Sequence, residues 1–273
     1  MVEHVSRQVS PQVTTPTALE FRDVGLTYDV SGSPMPVIEN VSFKISQSYF
    51  VSVVGPSGCG KTSLLRMISG LNPVKQGTVY FHGEPINKPL QSVGIAFQNP
   101  VLLPWRNTIN NVLLPLEIVP AHKKKLKSQK ARYIASAQEL LSTVGLKDFQ
   151  TYYPWQLSGG MKQRASLCRA LIHNPEILLL DEPFGALDAF TREEMWEMLQ
   201  RLWVRSQCTS VLVTHDLREA IFLSDTVYVM GQRPSQIVYT LKVDLPRPRT
   251  LDMCFTPEFQ RMYSELRQYI QRN

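Results

Sequence analysis

The stretch Gly55-Pro56-Ser57-Gly58-Cys59-Gly60-Lys61-Thr62 sets two glycines around a four-residue gap and follows them with a lysine and a hydroxyl. Glycines let successive backbone N–H groups turn into one concavity, and such a concavity wraps a phosphate. Lys61 can then reach the terminal phosphates, and Thr62 can hold a divalent cation. Cys59, beside Lys61 and the start of a helix, is expected to be unusually reactive as a thiolate. A second constellation is Ile177-Leu178-Leu179-Leu180-Asp181-Glu182, an apolar run ending in two acids. Neighbouring strand residues point to opposite sides, so adjacent carboxylates can take two roles. Asp181 is read as the cation ligand, through water, and Glu182 as the group that polarises an attacking water. The third is Leu157-Ser158-Gly159-Gly160-Met161-Lys162-Gln163-Arg164. Ser158 is a natural helix N-cap, and Met161, Ala165, Cys168 and Ile172 make one apolar stripe. Two glycines in the first turn weaken that helix by about 1 kcal/mol each relative to alanine. Bare glycines at a helix N-terminus leave N–H groups open to an anion.

Each constellation needs an element to hold it. YFVSVVG, residues 49–55, is apolar on both faces, as a buried parallel strand is, and feeds the glycine-rich loop. Residues 61–69 read as a short helix with Leu64, Leu65 and Ile68 inward and Gly70 as its stop. ALEFRDVGLTY, VSFKIS, GTVYFHGEPI and SVGIAFQ read as strands, as do the apolar runs 177–181 and 210–214 and the closing runs VYVM and QIVYTLKVDL. Helices are predicted across 122–144 and 189–205. Alternating strands and helices, interrupted by a helical stretch, give an α/β core carrying a second lobe. Residues 1–17 are polar with two prolines and read as a loose tail.

Composition bounds the partners. The 273 residues are 43% hydrophobic, enough for a substantial core; the net charge of +6 hints at an acidic partner such as nucleotide, nucleic acid or anionic lipid, while composition alone favours a mildly basic soluble protein. Cysteines at 59, 168, 208 and 254 have neither metal-ligand nor redox spacing and read as free thiols of a reducing compartment. No signal peptide opens the sequence, and no apolar run approaches the length of a membrane span. Work at a membrane would need another chain as anchor.

The phosphate loop, LSGGMKQR, ILLLDEP and Thr214-His215-Asp216 stand in one order, and together they closely resemble the ATP-binding subunits of ABC transporters. The resemblance covers roughly residues 18–245. It implies a P-loop NTPase (RecA-like) α/β core, an N-terminal antiparallel β subdomain and a helical subdomain inserted at 99–165, followed by a linker and amphipathic helix at 246–273. In that family two subunits face each other head to tail, and the LSGG helix of one caps ATP on the phosphate loop of the other. The resemblance thus assigns ATP to Tyr28, stacked on adenine, and to Gly55, Pro56, Ser57, Gly58, Cys59, Gly60, Lys61, Thr62 and Ser63. From the facing subunit it assigns Ser158, Gly159, Gly160, Gln163 and Asp188. Mg2+ falls to Thr62, Gln98 and Asp181, and catalysis to Glu182, His215 and Gln98. The implied partners are a second ATP-binding subunit, an identical copy in a homodimer or a paralogue, and an integral-membrane permease. An extracytoplasmic solute-binding protein is engaged indirectly, and no nucleic acid. The implied location is the cytoplasmic face of a bacterial inner membrane, as a peripheral subunit.

Two stretches resemble the importer branch for nitrate, sulfonate and taurine, with relatives handling thiamin-precursor pyrimidines. They are QNPVLLPWR, residues 98–106, and MGQRPSQIV, residues 230–238, leading into VDLPRPR. That branch usually has glycine and arginine where Ser235 and Gln236 stand, and Trp155 is also atypical. Leu102, Leu103 and Trp105, held by prolines, are expected to form an exposed apolar loop that receives the permease. Lys123, Lys124, Lys125, Lys127, Lys130 and Arg132 read as a solvated helix face. Phe259, Met262, Leu266 and Ile270 give a C-terminal helix one apolar side that packs on its own domain. The rival function is a non-transport ABC ATPase acting on nucleic acid or ribosomes, but the interval between Lys61 and Ser158 holds no sustained heptads.

Overall fold

The computed structural model describes residues 15–272; the expected tail lies largely outside them. Strands β1 (Thr17–Val30) and β2 (Ser33–Ser46) form an antiparallel hairpin. Its turn is Ser31-Gly32, both at positive φ, with the Gly32 N–H donating to Asp29 Oδ1 at 2.8 Å. The chain continues through β3 (Phe50–Val54), helix α1 (Lys61–Ile68), β4 (Gln76–Phe81), the two-residue β5 (Glu84–Pro85) and β6 (Val93–Ala96). Four helices follow: α2 (Thr108–Ile118), α3 (Pro120–Lys123), α4 (Lys130–Thr143) and α5 (Gly159–Leu171). The core resumes with β7 (Ile177–Asp181), α6 (Ala189–Ser206), β8 (Thr209–Thr214), α7 (Leu217–Leu223), β9 (Thr226–Met230) and β10 (Ile237–Lys242), and α8 (Pro257–Arg272) closes the chain.

Two sheets result. An antiparallel one has the order β2-β1-β4-β5, and a six-stranded one has the order β10-β9-β3-β8-β7-β6. All pairs of the larger sheet are parallel except β9 with β10. The strands β3 and β8 are buried along their whole length, as parallel strands covered on both faces are. Their two-residue period sorts side chains to opposite sides. Val51 and Val53 join a core with α1 and the antiparallel sheet, whereas Phe50 and Val54 face a second core shared with α6, α7, α8 and the helical lobe.

The sequence expectation of one helix across 122–144 is corrected. After α3 the chain turns through 124–129 and restarts as α4. Lysines at one- to four-residue steps repel along a single helix, and an irregular turn lets them spread into water. The C-terminal helix matches expectation: Phe259 and Leu266 are fully buried, worth about 2 kcal/mol each in apolar burial. Tyr269 of α8 stacks on Tyr239 of β10 with ring centroids 3.8 Å apart. Arg249 is buried and donates to the carbonyls of Ile221, Phe222 and Ser224, which end α7. Burial pushes this guanidinium down to about 9.

Candidate functional site

The parallel strands β3, β8 and β7 are neighbours, and the chemistry gathers where they end: the glycine-rich loop after Val54, His215 after Thr214, and Asp181 as the last residue of β7. Crevices at the carboxyl ends of such strands are where ligands bind. Gly55 is required there by space, because a Cβ would stand 2.6 Å from the Met230 carbonyl oxygen. Gly60 has φ 109°, and a Cβ there would press on Val37 and Ile38 at 3.0 Å. Lys61 is buried and its ammonium donates to the carbonyls of Gly55 and Pro56, both at 3.0 Å.

Thr62 Oγ1 donates to Asp181 Oδ1 at 3.0 Å, so the hydroxyl and carboxylate assigned to one cation do converge. Burial, followed by repulsion from Glu182, pushes the Asp181 carboxyl up, against the hydrogen bond from Thr62 and the charges of Arg66 and Lys61. A carboxylate in such a place gains from a cation, and two hard oxygens suit Mg2+. Among the described residues no three His, Cys, Asp or Glu side chains form a closed metal cage.

Glu182 leaves the strand with φ 45°, while its N–H still donates to the Val213 carbonyl at 2.9 Å. This left-handed turn, rather than strand alternation, aims the two acids apart, and such a conformation costs about 1 kcal/mol or more. Glu182 Oε2 meets His215 Nδ1 at 3.2 Å. Gln98 reaches the same place from β6: a Cβ on Gly185 would lie 3.5 Å from Gln98 Nε2 and 3.8 Å from Glu182 Oε2. Tyr28 is half-buried on β1, and its hydroxyl bonds Ser63 at 3.0 Å and Asn72 at 3.1 Å.

The LSGG segment lies elsewhere. Ser158 accepts the Met161 N–H at 3.2 Å and caps α5 as its sequence implies. Ser158, Gly159 and Gly160 face a cavity of about 460 Å3, with Leu187, Asp188 and Thr191 on its other side. Asp188 caps α6 through the Thr191 N–H at 3.1 Å, and the Thr191 side chain, followed by that N–H, holds its carboxyl below the usual range. Phe190 beside it is 83% exposed. Gln163 departs from its assignment: it is buried, and its amide donates to the Phe97 carbonyl at 3.2 Å, inside the lobe rather than on this face. The expectation of a reactive Cys59 is overturned as well. Its side chain is 1% exposed, and burial, stronger than the pull of Lys61, pushes the thiol up.

Pattern reading missed a network behind His215. Thr214 Oγ1 donates to Glu219 Oε2 at 2.9 Å, and Arg192 bridges Asp216 at 3.1 Å and the Leu187 carbonyl at 3.0 Å. This ties the Asp188 segment to the His215 segment. Glu219 is fully enclosed, and burial, reinforced by Asp216, pushes it up to about 8. The 99–106 loop also differs from expectation. Leu102 is buried in the lobe, while Val101 and Trp105 stay 60% and 70% exposed. The cause is Asn111, fully buried, which accepts the Leu103 N–H at 2.7 Å and donates to the carbonyls of Leu103, Arg106 and Asn107. Beside this loop an apolar groove of about 380 Å3 is lined by Ile95, Phe97, Val101, Leu114 and Ile118, with Arg169 at its edge.

A buried parallel strand, a glycine-rich loop over a helix start and two acids at the end of β7, one strand removed, define a nucleotide-hydrolysing P-loop fold. Residues 38–185 match the ABC transporter family, and the chain belongs to it. It is 40% identical over 261 residues to the bicarbonate transport ATP-binding protein CmpD of Synechocystis sp., spanning 95% of this chain and 89% of that protein. Against the nitrate import ATP-binding protein NrtD of Synechococcus elongatus it is 38% identical over 256 residues, 93% and 92% of the two chains. The taurine import ATP-binding protein TauB of Yersinia pestis is 40% identical over 220 residues, 81% of this chain and 83% of that one. The solved dimeric structure of MJ0796, a bacterial ABC transporter cassette, has a TM-score of 0.70 at 29% identity, covering 84% of this chain and all of that one. The chain is an ATP-binding ATPase subunit of the ABC transporter type.

Proposed function

We propose that this chain energises import of a small anionic solute of the nitrate, sulfonate or taurine kind, or of a pyrimidine precursor, through a separate membrane permease. It works as a pair of ATP-binding subunits on the cytoplasmic face of the membrane. The observation that carries the reading is the separation of two half-sites. The phosphate loop, Asp181, Glu182 and His215 converge, while the capped LSGG helix opens onto a cavity with no phosphate loop of its own chain in it. A second copy, turned head to tail, brings that helix N-terminus to the γ-phosphate.

Gly55 to Ser63 hold the triphosphate through loop amides and Lys61, and Tyr28 lies under the adenine. Thr62 and Asp181, with Gln98 nearby, hold Mg2+, which neutralises charge developing on the phosphate oxygens when bound. Glu182 orients and accepts a proton from the attacking water, and His215 donates a hydrogen bond to the γ-phosphate. Ser158 and the amides of Gly159 and Gly160 complete the charge cradle, so closure assembles the hydrolytic site. The apolar groove beside Val101 receives a short helix of the permease. Among the described residues no helix is long and apolar enough to cross a membrane.

Uptake of labelled taurine, an alkanesulfonate, nitrate, bicarbonate and a thiamin-precursor pyrimidine tests this. The strains compared lack the chain, carry it restored, or carry Lys61→Ala. Loss of one solute's uptake without the chain and with Lys61→Ala is expected. Equal entry of all five in every strain overturns the importer reading.

A further inference from the structure

The phosphate loop is gripped on its outer side by a segment far along the chain. Residues 231–236 join β9 to β10 and pass beside β2. Ser235 is fully buried there: its N–H donates to the Val37 carbonyl at 2.9 Å, and its carbonyl accepts the Glu39 N–H at 3.0 Å. A hydroxyl so enclosed must find a partner. It donates to the Cys59 carbonyl at 2.5 Å. Two residues earlier, Arg233 is exposed, and its Nε donates to the Gly58 carbonyl. Its Nη1 rests 3.7 Å from Met35 Sδ on β2.

These two bonds act on consecutive peptide units. In a trans peptide the C=O and the following N–H point in opposite directions. Holding the Gly58 and Cys59 carbonyls outward therefore turns the Cys59 and Gly60 N–H groups toward the inside of the loop, where the Cys59 N–H meets the Pro56 carbonyl at 3.4 Å. Glycines make this loop easy to re-fold, and a peptide that flipped would present an oxygen to a phosphate in place of an N–H.

We propose that Ser235 and Arg233 are positioning residues for ATP: they lock the outer carbonyls of the phosphate loop so that its amides are preset for the phosphates. The inference rests on the reading that Gly55 to Ser63 hold the triphosphate. Neither side chain touches the nucleotide; each acts through the backbone it holds. Preorganisation of this kind is read in affinity rather than in the chemical step.

The test uses the full chain with Ser235→Ala, Arg233→Ala, the double variant, Arg233→Lys and, as reference, Lys61→Ala. The measurements are Kd for ATP and ADP, KM and kcat for ATP hydrolysis, and Tm without nucleotide. Each single variant is expected to raise Kd and KM for ATP about 5-fold, the value of one hydrogen bond, with kcat within about twofold. The double variant exceeds either single one, and Arg233→Lys recovers most of the loss. Because Arg233 is exposed, its alanine variant folds and keeps the test decisive if Ser235→Ala is unstable. Kd and KM unchanged in Arg233→Ala and Ser235→Ala, with only Tm lowered, overturn the proposal and leave the clamp a purely structural tie. If Lys61→Ala also binds ATP like the unaltered chain, the phosphate-loop reading itself falls; if Lys61→Ala alone loses ATP, only the clamp does.

Discussion

The phosphate loop and the LSGG turn both place glycines at a helix start, yet their surroundings are opposite. Around Gly55 and Gly60 the chain itself fills the space a side chain would take, at 2.6 Å and 3.0 Å. Around Gly159 nothing lies within 4 Å, and Gly160 meets only the Thr191 methyl at 3.2 Å. The first pair of glycines is explained by this subunit. Gly159 is not, and a residue costing helix stability without an internal reason points to a neighbour that the isolated chain lacks. Lys61, Thr62 and His215 all have partners within their own chain, while Ser158 and Asp188 do no more than cap their helices and otherwise face an open cavity.

Lys61→Ala should act most strongly, weakening ATP about 100-fold or more in a calorimetric titration, because it removes the one buried cation of the loop. Glu182→Gln should follow: turnover falls about 100-fold while ATP still binds, and size-exclusion chromatography with ATP shows a trapped dimer. Unchanged turnover would remove Glu182 from its role. Gly159→Ala separates the two regions directly. It should raise the stability of the isolated chain by up to about 1 kcal/mol and leave ATP affinity intact, yet lower turnover about 10-fold. Full activity in that variant would end the contrast between the two sets of glycines.

A smaller effect concerns pH. The folded-state pKa of Glu219, about 8, lies above the ordinary glutamate value of 4.5, so the native state holds the extra proton. The stability linked to it is complete below about pH 4.5 and is lost as pH rises toward about 8, by at most about 1.4 kcal/mol per unit. Glu219→Gln should flatten the fall of Tm between pH 5 and 8. An unchanged slope would mean that Glu219 is ionised in the folded chain.

The motifs were legible because each is contiguous and each is tied to a strand end or a helix start. The loop at 55–62, the acids at 181–182 and the Ser158 cap need only a few neighbouring residues to be recognised. What escaped was assembled by the fold. Arg192 joins Asp216 across 24 residues, and Ser235 joins Cys59 across 176, with no local pattern to mark either pair. In sequence Ser235 is only a departure from a branch that usually carries glycine; its hydroxyl gains meaning from the Cys59 carbonyl that the fold sets beside it. Cys59 is misleading in sequence because its neighbours, a lysine and a helix start, favour a thiolate, whereas burial in the fold removes the water a thiolate needs. Leu102 departs from expectation for a similar reason: Asn111 turns the loop inward, and an asparagine in the first turn of α2 announces no such role.

The four thiols carry one more consequence. Cys59, Cys168, Cys208 and Cys254 are all unpaired and at most 4% exposed, and burial raises the pKa of every one. In the folded chain they are silent toward maleimides and spin-label reagents at neutral pH. A single cysteine engineered onto the LSGG face is then labelled selectively, with no native cysteine removed. On the proposed pairing, the approach of two subunits would then be read as a distance that changes with each nucleotide added.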